Sequence, residues 1–268
     1  MITDVCQRWR AHRSEYRPVG EPFDPAAHEV SEIADDGPAK RFVQEHHYSG
    51  SYPAARFRYG LHRRGGELVG VAVFSHPCSD RVLAPLPGQG LERCELGRLV
   101  ILDGQGLGGN AESWFVARCF ERLAAAGIVG VVSFSDPVPR TDASGRRVFR
   151  GHYGCVYQAL NARFAGHTTV RTLRLMPDGT VLSARTLQKI RARERGWEHA
   201  VGQLVRAGAA EPRADQDLAG WQKVWVPRLT RVLRHTGNYR YLFGMTRAAR
   251  RALPESLPYP KIDRGGFR

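Results

Sequence analysis

The stretch LGRLVILDGQGLGGNAESWF, residues 96–115, decides the fold class because it contains a strand, a loop and a helix in succession. Its β-branched start predicts a strand, and the apolar spacing of its end predicts a helix. Glycines in the loop let backbone N–H groups approach a ligand, and the helix start favours an anion such as pyrophosphate. The predicted cofactor-binding residues are Gln105, Gly106, Gly108, Gly109 and Asn110. A flexible turn without a ligand is the alternative.

Elements on both sides extend this stretch into a mixed sheet. The expected elements are a helix at 38–47, strands at 56–63, 68–75 and 94–102, a helix at about 110–127, a strand at 127–136, a helix at about 154–164, and strands at 167–176 and 238–245. The segment 127–136 is almost wholly apolar and predicts a central strand buried on both faces. This order predicts an α/β (α+β) fold, with a mixed central sheet and helices on both faces.

The chain is expected to form one domain with an irregular start and one insertion. Residues 1–38 are polar and interrupted by prolines, which predicts an irregular segment. The domain is expected to cover 39–268, with a basic helical insertion at about 177–225. The segment VWVPRLT, 224–230, is expected to be a strand or an edge segment.

The charge of the chain points to a polyanionic partner. In 268 residues, 40 Lys and Arg stand against 26 Asp and Glu, a formal charge of +14. Such an excess attracts polyanions, so nucleic acid is the leading expected partner and an anionic membrane is the rival. No stretch approaches the ~18 apolar residues that span a bilayer, and no apolar signal core is evident, so a cytoplasmic protein is expected. The five cysteines lack any CxxC pair, which argues against disulfides and a cysteine zinc site.

Two polar segments supply candidate catalytic groups. SFSDP, 133–137, places Asp136 at the carboxyl edge of the predicted central strand, where ligands often bind. Asp136 could be a general base, a metal ligand or a helix cap, and for such a residue taken alone capping is the more common role. GHYGCVYQALNARFAG, 151–166, adds His152, which can titrate near neutrality, and Tyr157 and Asn161, whose spacing of four predicts one helix face. An ordinary polar helix face is the alternative.

Two further segments are candidates for contact with nucleic acid. The loop HHYSGSYP, 46–53, could bind a metal, a phosphate or a base, or be a plain surface loop. No Asp or Glu occurs between Asp217 and Glu255, where basic and aromatic residues interleave as phosphate contacts and base stacking require. The predicted nucleic-acid-binding residues are His47, Tyr48, Arg185, Lys189, Arg191, Arg228, Arg231, Arg234 and Arg240. A solvated face is the alternative for the basic ones.

Several segments, in this order, resemble the Mom family of phage DNA-modification proteins over roughly residues 40–262. They are HHYSGSYP, GELVGVAVFS, ELGRLVIL, NAESWF, SFSDP, GHYGCVYQALNARFAG, and NYRYLFGM with PYPK. The resemblance implies a GNAT-like acyltransferase fold. It also implies an enzyme that converts the exocyclic amine of adenine to an N6-carbamoylmethyl form, which shields phage DNA from restriction. The partner that the resemblance implies is therefore double-stranded DNA. The matching positions are His47, Tyr48, Arg98, Ser113, Asp136, His152, Gly154, Tyr157 and Asn161.

The resemblance leaves the group donor open. In GNAT-type N-acyltransferases a loop of the form Gln/Arg-x-x-Gly-x-Gly/Ala cradles the pyrophosphate of acyl-CoA, whereas the loop here ends in Asn110. The segment 137–150 is also longer than the family pattern leads us to expect. Acyl-CoA, an aminoacyl donor and a metal-assisted route are the alternatives. Two other functions also stay open: acyl transfer to another amine, in a modified base, RNA or protein lysine, and nucleic-acid binding without catalysis.

Overall fold

The computed structural model describes residues 5–18, 23–104 and 106–261, and they divide into two compact units. The first unit consists of the described residues up to 137, of 152–168 and of those from 238 onward. The second unit consists of 138–151 and 169–237. The strands are β1 (Val5–Arg10), β2 (Arg13–Pro18), β3 (His28–Glu32), β4 (Ala55–Arg63), β5 (Leu68–Ser75), β6 (Arg93–Ile101), β7 (Gly130–Ser135), β8 (Arg140–Thr141), β9 (Arg147–Phe149), β10 (Arg163–His167), β11 (Arg171–Leu175), β12 (Val181–Leu182), β13 (Arg231–His235) and β14 (Tyr239–Gly244). The helices are α1 (Asp36–His46), α2 (Ala111–Ala125), α3 (Cys155–Ala159), α4 (Ala184–Ala192), α5 (Trp197–Arg206), α6 (Leu218–Leu229) and α7 (Arg247–Ala252).

A seven-stranded sheet in the order β10-β14-β7-β6-β5-β4-β3 forms the centre of the first unit. Its neighbouring strands are antiparallel except for β6 and β7, which are parallel because α2 crosses over between them. Five of the six residues of β7 are buried, which confirms the prediction of a central strand covered on both faces. The predicted mixed α/β fold is therefore confirmed.

Apolar side chains cover both faces of this sheet. On one face, α2 packs Phe115, Cys119 and Leu123 into the main core. On the other face, Val132 and Leu242 belong to a separate cluster that includes Leu253, which caps the C-terminal end of α7. The sheet is thus held from both sides, and its strand ends are fixed in place.

The N-terminal part is more regular than predicted. Residues 1–38 were expected to be irregular, but β1 and β2 form an antiparallel hairpin, and β3 pairs with β4 at the sheet edge. The prolines do not prevent this, because Pro18 ends β2 and Pro25 begins a 3-10 turn, where no ladder N–H is needed.

The hairpin also anchors the glycine loop. The buried guanidinium of Arg8 donates to the carbonyls of Leu107, at 2.8 Å, and Gly108, at 2.6 Å, and forms an ion pair with Glu112. The loop carbonyls are therefore fixed from one side by a buried cation.

The helix expected at 154–164 is wrong in its second half. The helix α3 ends at Ala159, and Asn161 takes a left-handed φ of 56° before β10 begins. Asn tolerates this conformation better than most residues, because its short polar side chain can bond locally. Tyr157 and Asn161 therefore do not share a helix face, contrary to the spacing argument. The strand predicted at 167–176 is divided between β10 and β11.

The second unit contains the predicted insertion and extends beyond it. It comprises the β8–β9 hairpin, a three-stranded sheet in the order β12-β11-β13, and helices α4 to α6 around their own apolar core. The prediction of a strand at 224–230 is wrong, because these residues continue α6. Asp217 caps that helix by accepting bonds from the N–H groups of Ala219 and Gly220, and Trp221 and Val226 fill the core. Among the described residues, no helix has both the length and the apolar character needed to cross a membrane.

Candidate active site

Polar side chains gather in the first unit where β6 and β7 part. The ladder between the two strands ends at the pair Leu96 and Ser133, although β6 continues to Ile101. Gly97 is an extra residue in the pairing of β6 with β5, and a Cβ there would lie 2.6 Å from the Ser75 hydroxyl. The bulge redirects β6 at the point where its β7 side becomes open.

Arg98, directly after the bulge, joins β6 to the loop that follows α1. Its Nε donates to the Ser51 carbonyl at 2.8 Å, and its Nη2 donates to the Ser51 hydroxyl at 2.7 Å. Burial lowers the pKa of Arg98, partly offset by Tyr48 and Glu95. The side chain remains a cation in a partly dry site, so its field acts strongly on its neighbours.

His47, in that loop, is a buried neutral imidazole. The Ser49 N–H donates to His47 Nδ1 at 3.1 Å, which places the ring proton on Nε2. Burial lowers the pKa of His47 well below its usual value, and the nearby Arg98, His152 and His12 lower it further. His47 therefore presents a donor from a buried position, and its predicted contact with nucleic acid stays a prediction.

His152 and Asp136 are brought together at the end of β7. The His152 backbone N–H donates to the Asp136 carbonyl at 2.6 Å, and the Gly154 N–H donates to His152 Nδ1 at 3.3 Å. Burial lowers the pKa of His152 to about 4, against the opposing effect of the Asp136 carboxylate. The imidazole is neutral at pH 7, with its proton on Nε2 and its Nδ1 already occupied.

Tyr157, on α3, lies beside the His152 ring. Its ring centroid lies 5.6 Å from that of His152 and 5.3 Å from that of Tyr241. Ser133, whose hydroxyl donates to the Leu96 carbonyl, is near enough to lower the pKa of Tyr157 slightly. Burial raises the pKa of Tyr157, so the phenol stays protonated at neutral pH. Tyr48 belongs to the same neighbourhood, since it acts on the pKa values of both Tyr157 and Arg98.

The sequence reasoning missed Glu95, which precedes the bulge on β6. Burial raises the pKa of its carboxyl group, and the nearby Arg98 opposes that shift. Glu95 also contributes to the raised pKa of Tyr157, so it borders the same cluster. The available signal was a carboxylate between the apolar residues Cys94 and Leu96, in the middle of a predicted strand.

Two predicted catalytic residues lie elsewhere. The Ser113 hydroxyl donates to the Asn110 carbonyl in the first turn of α2, at 3.1 Å. Asn161 is an exposed turn residue whose N–H bonds to the Gln158 carbonyl. Neither is joined to the Arg98 cluster by a contact within the described residues, so the structure does not support a catalytic role for either.

The predicted cofactor loop is only partly described, because Gln105 lies outside the described residues. Gly106 has a φ of 74°, and the Gly108 carbonyl accepts a hydrogen bond from Arg8. Asn110 is the N-cap residue of α2, but its side chain makes no capping hydrogen bond. The N–H groups of Gly109 and Asn110 bond to none of the described residues. These two donors lie at a helix start, where an anion is favoured.

The basic residues predicted to bind nucleic acid differ in their surroundings. Arg191 and Arg234 are exposed, and so are Arg228, which stacks over Trp225, and Arg231, which donates to Thr141. The remaining three are Arg185, which is paired with Glu194; Lys189, which is half-buried; and Arg240, which is half-buried over Phe134 in the central sheet. Within the described residues, no group of three His, Cys, Asp or Glu side chains could hold a metal ion.

The neutral histidines predict acid sensitivity. In the unfolded chain His152 becomes protonated below about pH 6.5, whereas in the folded protein it stays neutral down to its pKa of about 4. The free energy of unfolding therefore decreases as the pH is lowered from 6.5 to 4. We expect His152→Gln to remove about 2 kcal/mol of the stability that the wild type loses between pH 7.5 and 5, because about 1.5 pH units separate 6.5 from 5 and each is worth ~1.4 kcal/mol. Urea denaturation at both pH values measures this. An identical loss of unfolding free energy in the wild type and in His152→Gln would show that His152 is not held neutral in the folded protein.

Comparison with known proteins gives one match across most of the chain. The model of the Mom protein family matches residues 28–261. The search of curated proteins found no match.

Solved acetyltransferase structures show more distant likenesses. An aminoglycoside 6'-acetyltransferase type Ii is 12% identical, with 81% of this chain and 97% of that chain covered and a TM-score of 0.38. An N-acetyltransferase from Staphylococcus aureus Mu50 is 13% identical, covering 71% and 68%, with a TM-score of 0.31. An acetyltransferase from Bacillus subtilis in complex with CoA is 11% identical, covering 81% and 97%, with a TM-score of 0.33. Because these TM-scores are low, the family match identifies the chain: it belongs to the Mom protein family.

Proposed function

We propose that this protein transfers a small group from an activated donor to the exocyclic N6 amine of adenine in DNA. The observation that carries the proposal is the cluster at the parting of β6 and β7. There a cation, Arg98, a carboxylate, Asp136, and a protonated phenol, Tyr157, surround two neutral imidazoles. These are the residue types that an acyl transfer to an amine requires.

The proton leaving the amine needs an acceptor, because the adenine amine is a poor nucleophile whose lone pair is delocalised into the ring. Asp136 and His152 were both candidates. His152 is unsuited, because Gly154 occupies its Nδ1 and its Nε2 carries the proton. Asp136 therefore accepts the proton as the new C–N bond forms.

The other groups stabilise negative charge that develops on the donor. Arg98 supplies a fixed positive charge, and Tyr157 and the Nε2–H of His47 and His152 supply hydrogen-bond donors. Donors fixed in advance in a partly dry site are more effective than the same groups in water. The cluster is thus arranged for an anionic transition state.

An acyl-type donor fits two features of the first unit. The β7-facing edge of β6 beyond Leu96 has no strand partner among the described residues, and the N–H groups of Gly109 and Asn110 are available for a phosphate. Such a donor supplies an electrophilic carbon and a leaving group. The adenine must leave the base stack to be reached, at a cost of a few kcal/mol.

Restriction of plasmid DNA tests the proposal. DNA from cells that produce the protein should resist endonucleases whose sites contain adenine, and should be cut normally at sites of only G and C. DNA from cells producing Asp136→Asn should be cut at both kinds of site. Full cutting of the wild-type plasmid at every adenine-containing site would contradict the proposal.

A further inference from the structure

The positive charge of the chain is concentrated in the second unit. Residues 138–151 and 169–237 contain 17 Lys and Arg against 7 Asp and Glu, a net charge of +10 out of the +14 of the whole chain. The larger first unit carries only the remaining +4. The residues of the proposed acyl-transfer cluster belong to the first unit.

Most of the carboxylates in this unit already have local partners. Asp142 binds Ser144 and Arg146, Asp178 binds Thr180, Glu194 pairs with Arg185, and Asp217 caps α6. Only two cations are neutralised by these contacts. The unit therefore repels itself electrostatically unless it meets a polyanion.

One continuous stretch of its chain, from α6 through β13, lacks carboxylates altogether. The exposed residues along α6 and β13 include Lys223, Val224, Arg228, Val232 and Arg234, and no Asp or Glu occurs from 218 to 254. Val232, 61% exposed, and Arg234 alternate with buried or half-buried residues of β13, so they lie on one face of the three-stranded sheet. Lys223 and Arg234 make no hydrogen bond or ion pair with described residues.

The aromatic residues of the unit decide which polyanion fits. Single-strand binders stack bases on exposed aromatic rings. Here Trp221 is buried, Trp197 lies under Arg193 and Trp225 under Arg228, and Phe149 lies under Arg140. No aromatic side chain in the unit is exposed among the described residues. Its exposed large apolar residues are valines, without the Trp, Phe or Leu that membrane-surface binding uses.

We propose that the second unit binds the phosphate backbone of duplex DNA through the exposed cations of α6 and β13, and that this binding is independent of the DNA sequence. The inference rests on the proposed action on DNA, but it concerns binding and not transfer. Arg and Lys contacts to phosphate fix the register of a duplex and carry no sequence information. Binding of this kind releases counterions, so it weakens steeply as salt rises.

Charge reversal in the full chain tests this, with a 30-base-pair duplex as the probe. Lys223→Glu/Arg234→Glu should weaken binding about 30-fold or more and reduce the slope of log K against log salt by about 2, one for each lost phosphate contact. The matched control is Arg64→Glu/Arg81→Glu, which changes two exposed arginines of the first unit and gives the same net charge. It should weaken binding less than about 3-fold, as screening at physiological salt predicts.

A second pair, Arg191→Glu/Arg195→Glu, keeps the test decisive if the first variant fails to fold. Both side chains are exposed in the second unit, and this variant should also weaken binding more than the control. Equal weakening by the control and both second-unit variants would overturn the inference, as would tighter binding of a 30-nucleotide single strand than of the duplex. Duplex binding that depends on the second unit, in a protein that modifies no DNA, would uphold this inference and refute the proposed function.

Discussion

Asp136→Asn is expected to lower the rate of adenine modification by about 10²- to 10⁴-fold, the usual contribution of a positioned general base. The substitution keeps the size of a side chain that is only 7% exposed, but removes its ability to accept a proton. Affinity for duplex DNA should be nearly unchanged, because Asp136 is not part of the basic surface. Two measurements separate these effects. The fraction of adenine that is modified in each cell generation gives the rate of modification, and filter binding with the purified variant gives its affinity for duplex DNA.

Two comparisons make this prediction specific. Asp80→Asn changes an exposed carboxylate of the same unit and should leave modification at the wild-type level. Glu95→Gln removes the second carboxylate of the cluster, and its effect should be smaller than that of Asp136→Asn. A larger loss in Glu95→Gln, with Asp136→Asn close to wild type, would transfer the role of proton acceptor to Glu95.

Gly154→Ala is expected to destabilise the first unit by about 3 kcal/mol, combining overpacking with left-handed strain. Gly154 has a φ of 73°, and a Cβ there would lie 2.5 Å from Cε2 and 2.7 Å from Cζ of Tyr241. The ring cannot easily move, because Tyr241 is fully buried and its hydroxyl donates to the Tyr153 carbonyl at 2.5 Å. Denaturation in urea, followed by tryptophan fluorescence, measures the loss.

Gly127→Ala is the matched control for that substitution. Gly127 has a φ of 82°, but a Cβ there meets no atom within 4 Å. It should therefore show the strain alone, about 1 kcal/mol. Equal losses in the two variants would mean that contact with Tyr241 does not restrict Gly154, and that the position of His152 depends less on this glycine than the geometry indicates.

The strands of the central sheet were predictable because their patterns are local. The hairpin of β4 and β5 follows from the pair Gly65 and Gly66 with β-branched and aromatic residues on either side, and β7 from its continuous apolar run. Asp136, His152 and Tyr157 were predicted as site residues from their positions beside these strands, and the structure brings all three together. Local pattern therefore identified most of the cluster.

The failures have a common cause in tertiary contacts. The β1–β2 hairpin is polar, and its buried Arg8 is stabilised by carbonyls about a hundred residues away, which no local pattern reports. The segment 224–230 has a β-like composition, but Asp217 starts a helix and Trp221 anchors it in the core. Glu95 was overlooked because a single carboxylate in a strand gives no sign of which side chains from other segments surround it.

Mass spectrometry of nucleosides tests the central claim most directly. DNA and RNA from bacteria producing the wild-type protein are digested to nucleosides, and the same is done with cells producing Asp136→Asn. The account predicts a new deoxyadenosine species whose added mass stays on the base after loss of the sugar, present only with the wild type. An adduct confined to RNA or protein, or unmodified DNA from cells with abundant folded protein, would contradict it.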